Sequence, residues 1–289
     1  MRLPEAFVAV VTGAGSGLGR ALALQLARRG GRVVVADVAR EGAEETVALL
    51  REAGGEGVFV ECDVRRWEEV EALSRRAREW AGEVDLIANN AGVVAGGLVG
   101  EVPLEDWRWT LDVDLWGVIH GCHAFVPSMR ARRRGWVLNI ASAAGYACLS
   151  RFGPYSVAKA GVIALSETLR AELDPREVAV TVACPSFFPT RIAEAARGDD
   201  PETRSLVGHM MRRAKSTPDD IARHALESLE SGRLYSLPTL EAQAARWARR
   251  LVPASVHRIT NLGREVLRRT TSTCEPSTPS GRGSPSRCR

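Results

Sequence analysis

Short runs of apolar residues alternate with longer stretches of helical periodicity from the start of the chain. An apolar run at about 7–12 precedes a helical pattern at about 17–29, and a run at 32–37 precedes a helical pattern at about 40–53. Because the runs are almost continuously apolar, both faces of these strands are expected to be buried, as in a parallel sheet covered by helices.

The same alternation continues to about residue 237. The further strand candidates are 58–63, 84–88, 136–140, 178–184 and a weak last strand at 234–237, and the further helix candidates are 66–81, 104–133 and 154–173. This order predicts the α/β class: a doubly wound parallel sheet, Rossmann-like, in a single domain with a C-terminal helical arm. Segments 144–153 and 186–217, rich in Pro, Gly and aromatic residues, are expected to be loops over the substrate.

The composition of the chain changes towards its C-terminus. We expect one folded domain of the Rossmann type over 1–237, a basic arm of two helices over 238–270, and a disordered tail over 271–289. Residues 237–289 hold ten Arg and three Glu, so the arm is basic while the rest is mildly acidic. We favour packing of the arm against the body or a second subunit. Contact with a membrane surface is the alternative, and nucleic acid is not expected as a partner.

The bulk composition is typical of a soluble globular protein. Of the 289 residues, 45% are hydrophobic and 26% are charged, and no apolar run reaches the ~18 residues of a membrane-spanning helix. The N-terminus shows no secretory signal, which predicts a cytoplasmic protein. The six cysteines are widely spaced and are expected to be reduced thiols. His120 and His123 lie three residues apart without a third ligand candidate, so no metal site is expected.

A glycine-rich turn follows the first predicted strand and opens the first predicted helix. Its sequence is Thr12-Gly13-Ala14-Gly15-Ser16-Gly17-Leu18-Gly19. Glycines in this context let a diphosphate approach backbone N–H groups at the helix N-terminus, although a structural turn is the alternative. Asp37 ends the second strand, where its carboxylate can accept hydrogen bonds from the ribose hydroxyls of an adenosine; the alternative is a helix N-cap.

Tyr155 and Lys159 are four residues apart in a helical pattern, so both side chains project from one face. The lysine ammonium favours ionisation of the phenol, which suits Tyr155 to general acid/base work. The alternative is an exposed aromatic beside a solvated charge, but the chain has only three Tyr and two Lys, so a chance pair is improbable. Ser142 follows the 136–140 strand, where its hydroxyl could polarise a substrate oxygen.

These residues together resemble the short-chain dehydrogenase/reductase family over about 5–236. The motifs that carry the resemblance are Thr-Gly-x-x-x-Gly-x-Gly (12–19), Asp63, Asn89-Asn90-Ala91-Gly92, Ser142, Tyr155-x-x-x-Lys159, and Pro185 with Thr190. The resemblance implies that Asp63 and Val64 hold the adenine, that Asn90 and Gly92 line the cofactor cleft, and that Lys159 binds the nicotinamide ribose. It also implies contacts of Phe188 and Thr190 with the nicotinamide.

We expect two sets of residues to form the site. The catalytic set is Ser142, Tyr155, Lys159 and Asp114. The cofactor-binding set is Gly13, Ser16, Gly17, Leu18, Gly19, Asp37, Asp63, Val64, Asn90, Ala91, Gly92, Tyr155, Lys159, Pro185, Phe188 and Thr190.

Two positions depart from the pattern that the resemblance implies. The family usually carries Asn where this chain has Asp114, and that Asn supports a water relay to the lysine. An Asp loses the N–H donor and, if ionised, adds a charge near Lys159, so we expect Asp114→Asn to raise turnover. Ser186 stands where the family often has Gly after Pro185, which stiffens the loop.

The function predicted on these grounds is hydride transfer between NAD(H) and an apolar secondary alcohol or ketone, in a homo-oligomer (dimer or tetramer). NAD is favoured over NADP because Asp37 would repel a 2′-phosphate and because Val38 and Ser16 offer no positive charge, although Arg40 lies close in sequence. An NADP-linked carbonyl reductase and a catalytically weak dinucleotide-binding regulatory protein are the alternatives.

Overall fold

The computed structural model describes residues 1–188, 196, 197, 208, 214 and 216–252. Seven strands form one parallel sheet in the order β3-β2-β1-β4-β5-β6-β7. The strands are β1 Phe7–Thr12, β2 Gly31–Asp37, β3 Glu56–Glu61, β4 Leu86–Asn89, β5 Gly135–Ile140, β6 Val178–Ala183 and β7 Tyr235–Ser236. The predicted class, a doubly wound parallel sheet, is confirmed.

Helices connect these strands. They are α1 Gly17–Ala27, α2 Arg40–Glu52, α3 Trp67–Ala81, α4 Leu104–Leu111, α5 Gly117–Arg132, α6 Ala144–Ala147, α7 Gly153–Glu172, α8 Pro218–Glu230 and α9 Leu240–Leu251. The single helix predicted over 104–133 is wrong in one respect, because a π-helical turn, Asp112–Trp116, separates α4 from α5. Helix α8 was not predicted from the sequence, and the strand predicted at 58–63 lies two residues too far along the chain, since β3 is Glu56–Glu61.

The core consists of two apolar layers, one on each face of the sheet. Val8 and Val10 of β1 face the layer formed with α3, α5 and α7, whereas Ala9 and Val11 face the layer formed with α1, α2 and α8. Successive side chains of a strand point to opposite faces, so a strand buried on both sides must be apolar throughout. This explains why the strand segments read as unbroken apolar runs.

The sheet has its switch point at β1, which pairs with β2 on one side and with β4 on the other. The chain leaves the carboxyl ends of these strands in opposite directions, which opens a crevice at this edge of the sheet. The described residues contain no helix long and apolar enough to cross a membrane. The second arm helix and the tail predicted beyond Pro253 lie outside the described residues.

Candidate active site

The glycine-rich turn leaves no room for side chains where it meets β4. A Cβ on Gly13 would lie 2.7 Å from Ala91 Cα, and a Cβ on Gly19 would lie 2.1 Å from the Gly13 carbonyl oxygen. Gly13 and Gly17 also have φ values of +65° and +51°, which favour glycine. The turn therefore exposes bare backbone beside the N-terminus of α1, as the approach of a diphosphate requires.

Hydrogen bonds fix this turn to the end of β4. The Thr12 hydroxyl oxygen accepts the backbone N–H groups of Asn90 and Ala91, at 3.0 and 3.1 Å. The Asn90 amide donates back to the carbonyl oxygens of Thr12 and Gly13, at 2.8 and 3.1 Å. The Asn90 side chain thus joins the ends of β1 and β4 by hydrogen bonds, and Asn90 also lines the cleft.

Asp37 lies at the carboxyl end of β2, beside the glycine turn. Its Oδ2 accepts the Gly15 N–H at 2.8 Å, and its Oδ1 accepts the Ala39 N–H at 2.9 Å. These bonds orient the carboxylate toward the cleft. Arg40, which is close to Asp37 in sequence, forms ion pairs with Glu61 at 2.7 Å and with Glu44 at 3.3 Å.

The residues expected at the adenine follow β3. Arg65 binds both carboxylate oxygens of Asp63, at distances between 2.6 and 2.9 Å, and these hydrogen bonds lower the pKa of Asp63. The Val64 carbonyl oxygen lies 2.9 Å from His120 Nδ1, which ties this loop to α5. The Asp63 carboxylate is therefore already occupied by Arg65, which also lines the cleft.

Ser142, Tyr155 and Lys159 meet on the other side of the crevice. The Ser142 hydroxyl accepts the Ala144 N–H at 3.1 Å, which fixes its position after β5. Lys159 Nζ donates to the Ile140 carbonyl oxygen at 3.1 Å and lies 5.6 Å from the centre of the Tyr155 ring. Burial raises the pKa of Tyr155, while Lys159 and a hydrogen bond from Ser142 act to lower it.

Asp114 lies behind Lys159 and has no exposed surface. Its Oδ1 accepts the Val93 N–H at 2.7 Å, and its Oδ2 lies 3.1 Å from Lys159 Nζ. Burial raises the pKa of Asp114 against the opposing effect of the lysine. Burial lowers the pKa of Lys159, but the negative groups of Asp114 and Tyr155 outweigh it and raise that pKa overall.

One cleft of about 970 Å³ joins these groups. The predicted residues that line it are Gly13, Ser16, Gly17, Leu18, Gly19, Asp37, Asp63, Val64, Asn90, Ala91, Gly92, Ser142, Tyr155, Lys159, Pro185 and Phe188. Asp114 does not line the cleft itself but contacts two residues that do, Val93 and Lys159. Thr190 lies outside the described residues.

Several lining residues were not predicted from the sequence. Among them are Val94, Trp109, Arg197, Glu241 and Ala245, together with Arg65 beside Asp63. Arg197 stacks on the Trp109 ring at 4.1 Å. Glu241 and Ala245 come from α9, more than eighty residues after Tyr155. The amphipathic pattern of this segment predicted a helix, but it did not indicate that the helix would line the cleft.

The residues present fit a nicotinamide dinucleotide. Bare backbone at a helix N-terminus suits the diphosphate, and a carboxylate at the end of β2 suits a ribose diol. The cleft continues from these groups to Tyr155 and Ser142, so a dinucleotide that follows it would reach the acid/base candidate. Fold and site together define a dinucleotide-binding α/β protein with a Ser/Tyr/Lys cluster at the far end of its cleft.

Comparisons with known proteins agree with this class. The family model described as short chain dehydrogenase matches residues 7–201. The chain belongs to the short chain dehydrogenase family, a class of NAD(P)-dependent oxidoreductases that act on CH–OH and C=O groups. This confirms the resemblance inferred from the motifs.

Individual relatives are similar over most of the chain. EphD of Mycobacterium tuberculosis, named as an oxidoreductase, is 32% identical over 255 residues, which are 85% of this chain and 43% of EphD. The chain thus spans less than half the length of that relative. The 1-deoxy-11-beta-hydroxypentalenate dehydrogenase of Streptomyces avermitilis is 33% identical over 240 residues, with 81% of this chain and 85% of the relative covered.

A solved structure shows the same architecture. The short chain dehydrogenase/reductase of Burkholderia phymatum, crystallised in complex with NAD, is 33% identical and superposes with a TM-score of 0.78. The match covers 96% of this chain and 100% of the other.

Proposed function

We propose that this protein transfers a hydride between NAD(H) and an apolar secondary alcohol or ketone, with Tyr155 as the general acid/base. The observation that carries the proposal is the meeting of Ser142, Tyr155 and Lys159 at one end of a cleft that has a dinucleotide cradle at its other end. A proton donor, a hydrogen-bond donor and a fixed positive charge are the groups that carbonyl/alcohol interconversion needs.

In alcohol oxidation, Tyr155 as a phenolate takes the proton of the substrate hydroxyl. Ser142 donates a hydrogen bond to the substrate oxygen as its charge changes, and Lys159 favours the phenolate through its ammonium. The nicotinamide supplies the hydride acceptor when it is bound. Reduction reverses these roles, and the Tyr155 phenol then gives its proton to the carbonyl oxygen.

The substrate is proposed to be apolar because the cleft beyond Tyr155 is lined by large hydrophobic side chains. They are Trp109, Leu149, Phe152, Phe187 and Phe188. Burial of apolar substrate surface against such side chains provides binding free energy without directional contacts. The name of the Streptomyces relative, a hydroxypentalenate dehydrogenase, supports an alcohol substrate.

NAD is the proposed cofactor rather than NADP. Asp37 would repel a 2′-phosphate, and the nearest cations are occupied: Arg40 pairs with Glu44 and Glu61, and Arg65 binds Asp63. Among the residues that the structure describes, a phosphate would therefore meet a like charge while both of these cations are already paired. The Burkholderia relative crystallised with NAD supports the same preference.

A homo-oligomer, either a dimer or a tetramer, is also proposed. Trp116 and Val157 are about half exposed, and they belong to neighbouring elements, the π-helical turn and α7. Large apolar side chains exposed together favour contact with another protein surface.

The proposed chemistry is tested by Tyr155→Phe. The variant keeps the ring and loses the proton, so kcat should fall by about 10²–10⁴-fold, while the affinity for NADH measured by fluorescence titration changes little. Tyr235→Phe provides a control, since Tyr235 contacts Glu167 and Arg246 away from the Ser/Tyr/Lys cluster. If Tyr155→Phe keeps near-normal turnover, Tyr155 is not the acid/base. If the unaltered protein binds NADH but turns over no member of a panel of alcohols and ketones, the regulatory alternative gains support.

A further inference from the structure

Asp114 is a carboxylate with no exposed surface, placed directly behind the reactive cluster. One of its oxygens accepts the Val93 N–H at 2.7 Å. The other accepts no hydrogen bond from the residues that the structure describes, and Lys159 Nζ lies 3.1 Å from it. A buried carboxylate is strongly unfavourable without a partner, so the ion pair with Lys159 is what keeps the charge of Asp114 in place.

This ion pair changes the charge that Tyr155 experiences. Lys159 alone would leave one positive charge beside the phenol and would favour its ionisation. With Asp114 ionised, the pair has no net charge, and ionisation of Tyr155 would leave the buried cluster with one net negative charge. Burial is the largest cause that raises the pKa of Tyr155; Lys159 acts against it, and the negative charge of Asp114 adds to the rise.

Among the residues that the structure describes, the other groups around the cluster do not restore the positive charge. Cys184, which follows β6, has its thiol pKa raised to about 12 by burial and stays neutral at ordinary pH. Ser142 is a neutral donor. On the helices packed against the π-helical turn, Asp106 pairs with Arg197 and His120 binds the Val64 carbonyl oxygen, while Asp112 acts on Arg65.

We propose that Asp114 is a positioning residue that balances the charge of Lys159, keeps Tyr155 in its phenol form around neutral pH, and thereby sets this site for carbonyl reduction. The inference rests on the proposed acid/base role of Tyr155. In reduction, the Tyr155 phenol gives its proton to the substrate oxygen and solvent reprotonates the phenolate. The two electrons come with the hydride that NADH supplies. Oxidation needs the phenolate at the outset and should therefore require a more alkaline solution.

The test is a direct titration of Tyr155 in Asp114→Asn, a substitution of nearly equal shape that removes the charge. The chain has only three tyrosines, so the near-ultraviolet tyrosinate absorbance can be followed as pH rises. Subtracting the same titration of a Tyr155→Phe partner isolates Tyr155. Because a like charge disfavours the ionised form of its neighbour, removing the charge of Asp114 should lower the pKa of Tyr155.

The pH profiles of turnover should move in the same direction. A lower Tyr155 pKa makes phenolate available at lower pH, so the acid limb of kcat/KM for alcohol oxidation should move down by the same interval. The basic limb of carbonyl reduction should also move down, because the phenol is lost earlier. Asp114→Ser, with a smaller neutral side chain, should reproduce both shifts and guards against a folding defect peculiar to Asn.

Asp85→Asn is the matched control. Asp85 is also a buried carboxylate, but it precedes β4 at the opposite edge of the sheet, where it accepts the Val8 N–H and pairs with Arg132 and Arg134. Its substitution should leave the titration of Tyr155 unchanged. An unchanged or raised Tyr155 pKa in both folded Asp114 variants would overturn the inference. The titration uses neither substrate nor cofactor, so it gives its answer even if Tyr155→Phe proves active.

Discussion

At the scale of single residues, Asp37 shows how backbone geometry gives one side chain a specific role. Both of its oxygens accept backbone N–H groups, from Gly15 and Ala39, so the carboxylate cannot swing away from the cleft. A flexible carboxylate could retreat from a phosphate, but a fixed one cannot. The cofactor preference proposed above follows from this rigidity as much as from the charge.

We therefore expect kcat/KM with NAD to exceed that with NADP by about tenfold or more, since each 1.4 kcal/mol of discrimination is about a factor of ten. Asp37→Ala should bring the two values closer together by removing the repulsion. The measurement is initial rates with one good alcohol and both cofactors. Glu56→Ala, which removes an exposed carboxylate at the opposite end of the sheet, should leave the ratio unchanged. A ratio at or below one in the unaltered protein would contradict the assignment of NAD.

At the scale of elements, α9 forms part of the wall of the cleft although it lies at the far end of the described chain. Glu241 and Ala245 line the cleft, while Arg246 stacks on the Tyr235 ring at 4.0 Å and so holds the helix against the end of the sheet. The helix contributes neither to the glycine turn nor to the end of β2, so we expect changes in its sequence to affect substrate size more than cofactor binding.

Enlarging the cleft-facing position of α9 should discriminate against large substrates. Ala245 is half-buried and lines the cleft, whereas its neighbour Ala244 is exposed. Ala245→Leu should raise KM for bulky secondary alcohols by about an order of magnitude, because overfilling a packed site costs about 1–3 kcal/mol. Small alcohols should be little affected. Ala244→Leu adds the same volume on the outer face, and equal effects of the two variants would show that α9 does not bound the substrate.

The strands and most helices could be predicted because their signals are local. A strand buried on both faces must be apolar throughout, and the glycine turn and the Tyr155/Lys159 pair are recognisable by spacing alone. Helix α8 also has a local signal, since Thr217 and Asp220 form a capping box at its start and Ile221 begins its apolar face. It was not predicted, because the preceding segment, 186–217, was interpreted as one long loop.

Other features depend on contacts between residues that are distant in sequence. The π-helical turn is one, because its buried Asp114 accepts the Val93 N–H and pairs with Lys159. Nothing in the sequence from Asp112 to Trp116 distinguishes this turn from continuous helix. The lining of the cleft by Trp109 and Ala245 is another, since these residues are brought to one cleft only in the folded chain. The glycine turn and the Tyr155/Lys159 pair could therefore be found from local sequence, whereas Trp109 and Ala245 could not be assigned to the cleft.

At the scale of the whole molecule, β7 and α9 place the C-terminal part of the described chain beside the cleft. Strand β7 pairs with β6 next to Cys184, and α9 packs against α6, the short helix that follows Ser142. The site is therefore completed by residues beyond the region that the family model matches.

Two truncations test this dependence. A chain that stops after Leu237 lacks α9, so both Tm and kcat/KM should fall, because the cleft loses a wall and apolar surface is exposed. A chain that stops after Thr270 removes only the segment whose composition predicts disorder, and it should match the full chain in both measurements. Thermal melts and initial rates decide the matter, and a fully active 1–237 fragment would show that α9 is dispensable.

The hydrogen bonds between Thr12 and Asn90 also bear on the order in which parts of the chain fold. The seven described strands all pair in parallel, so none of them can form an early hairpin with its neighbour. Strand β1 must wait for residues nearly eighty positions later before its second edge is covered. On the ribosome the glycine turn emerges long before Asn90 and Ala91 can close over it. The proposed dinucleotide site is thus one of the last parts of the β1–β4 half to form. Cofactor affinity should therefore appear only when that half of the sheet has been completed.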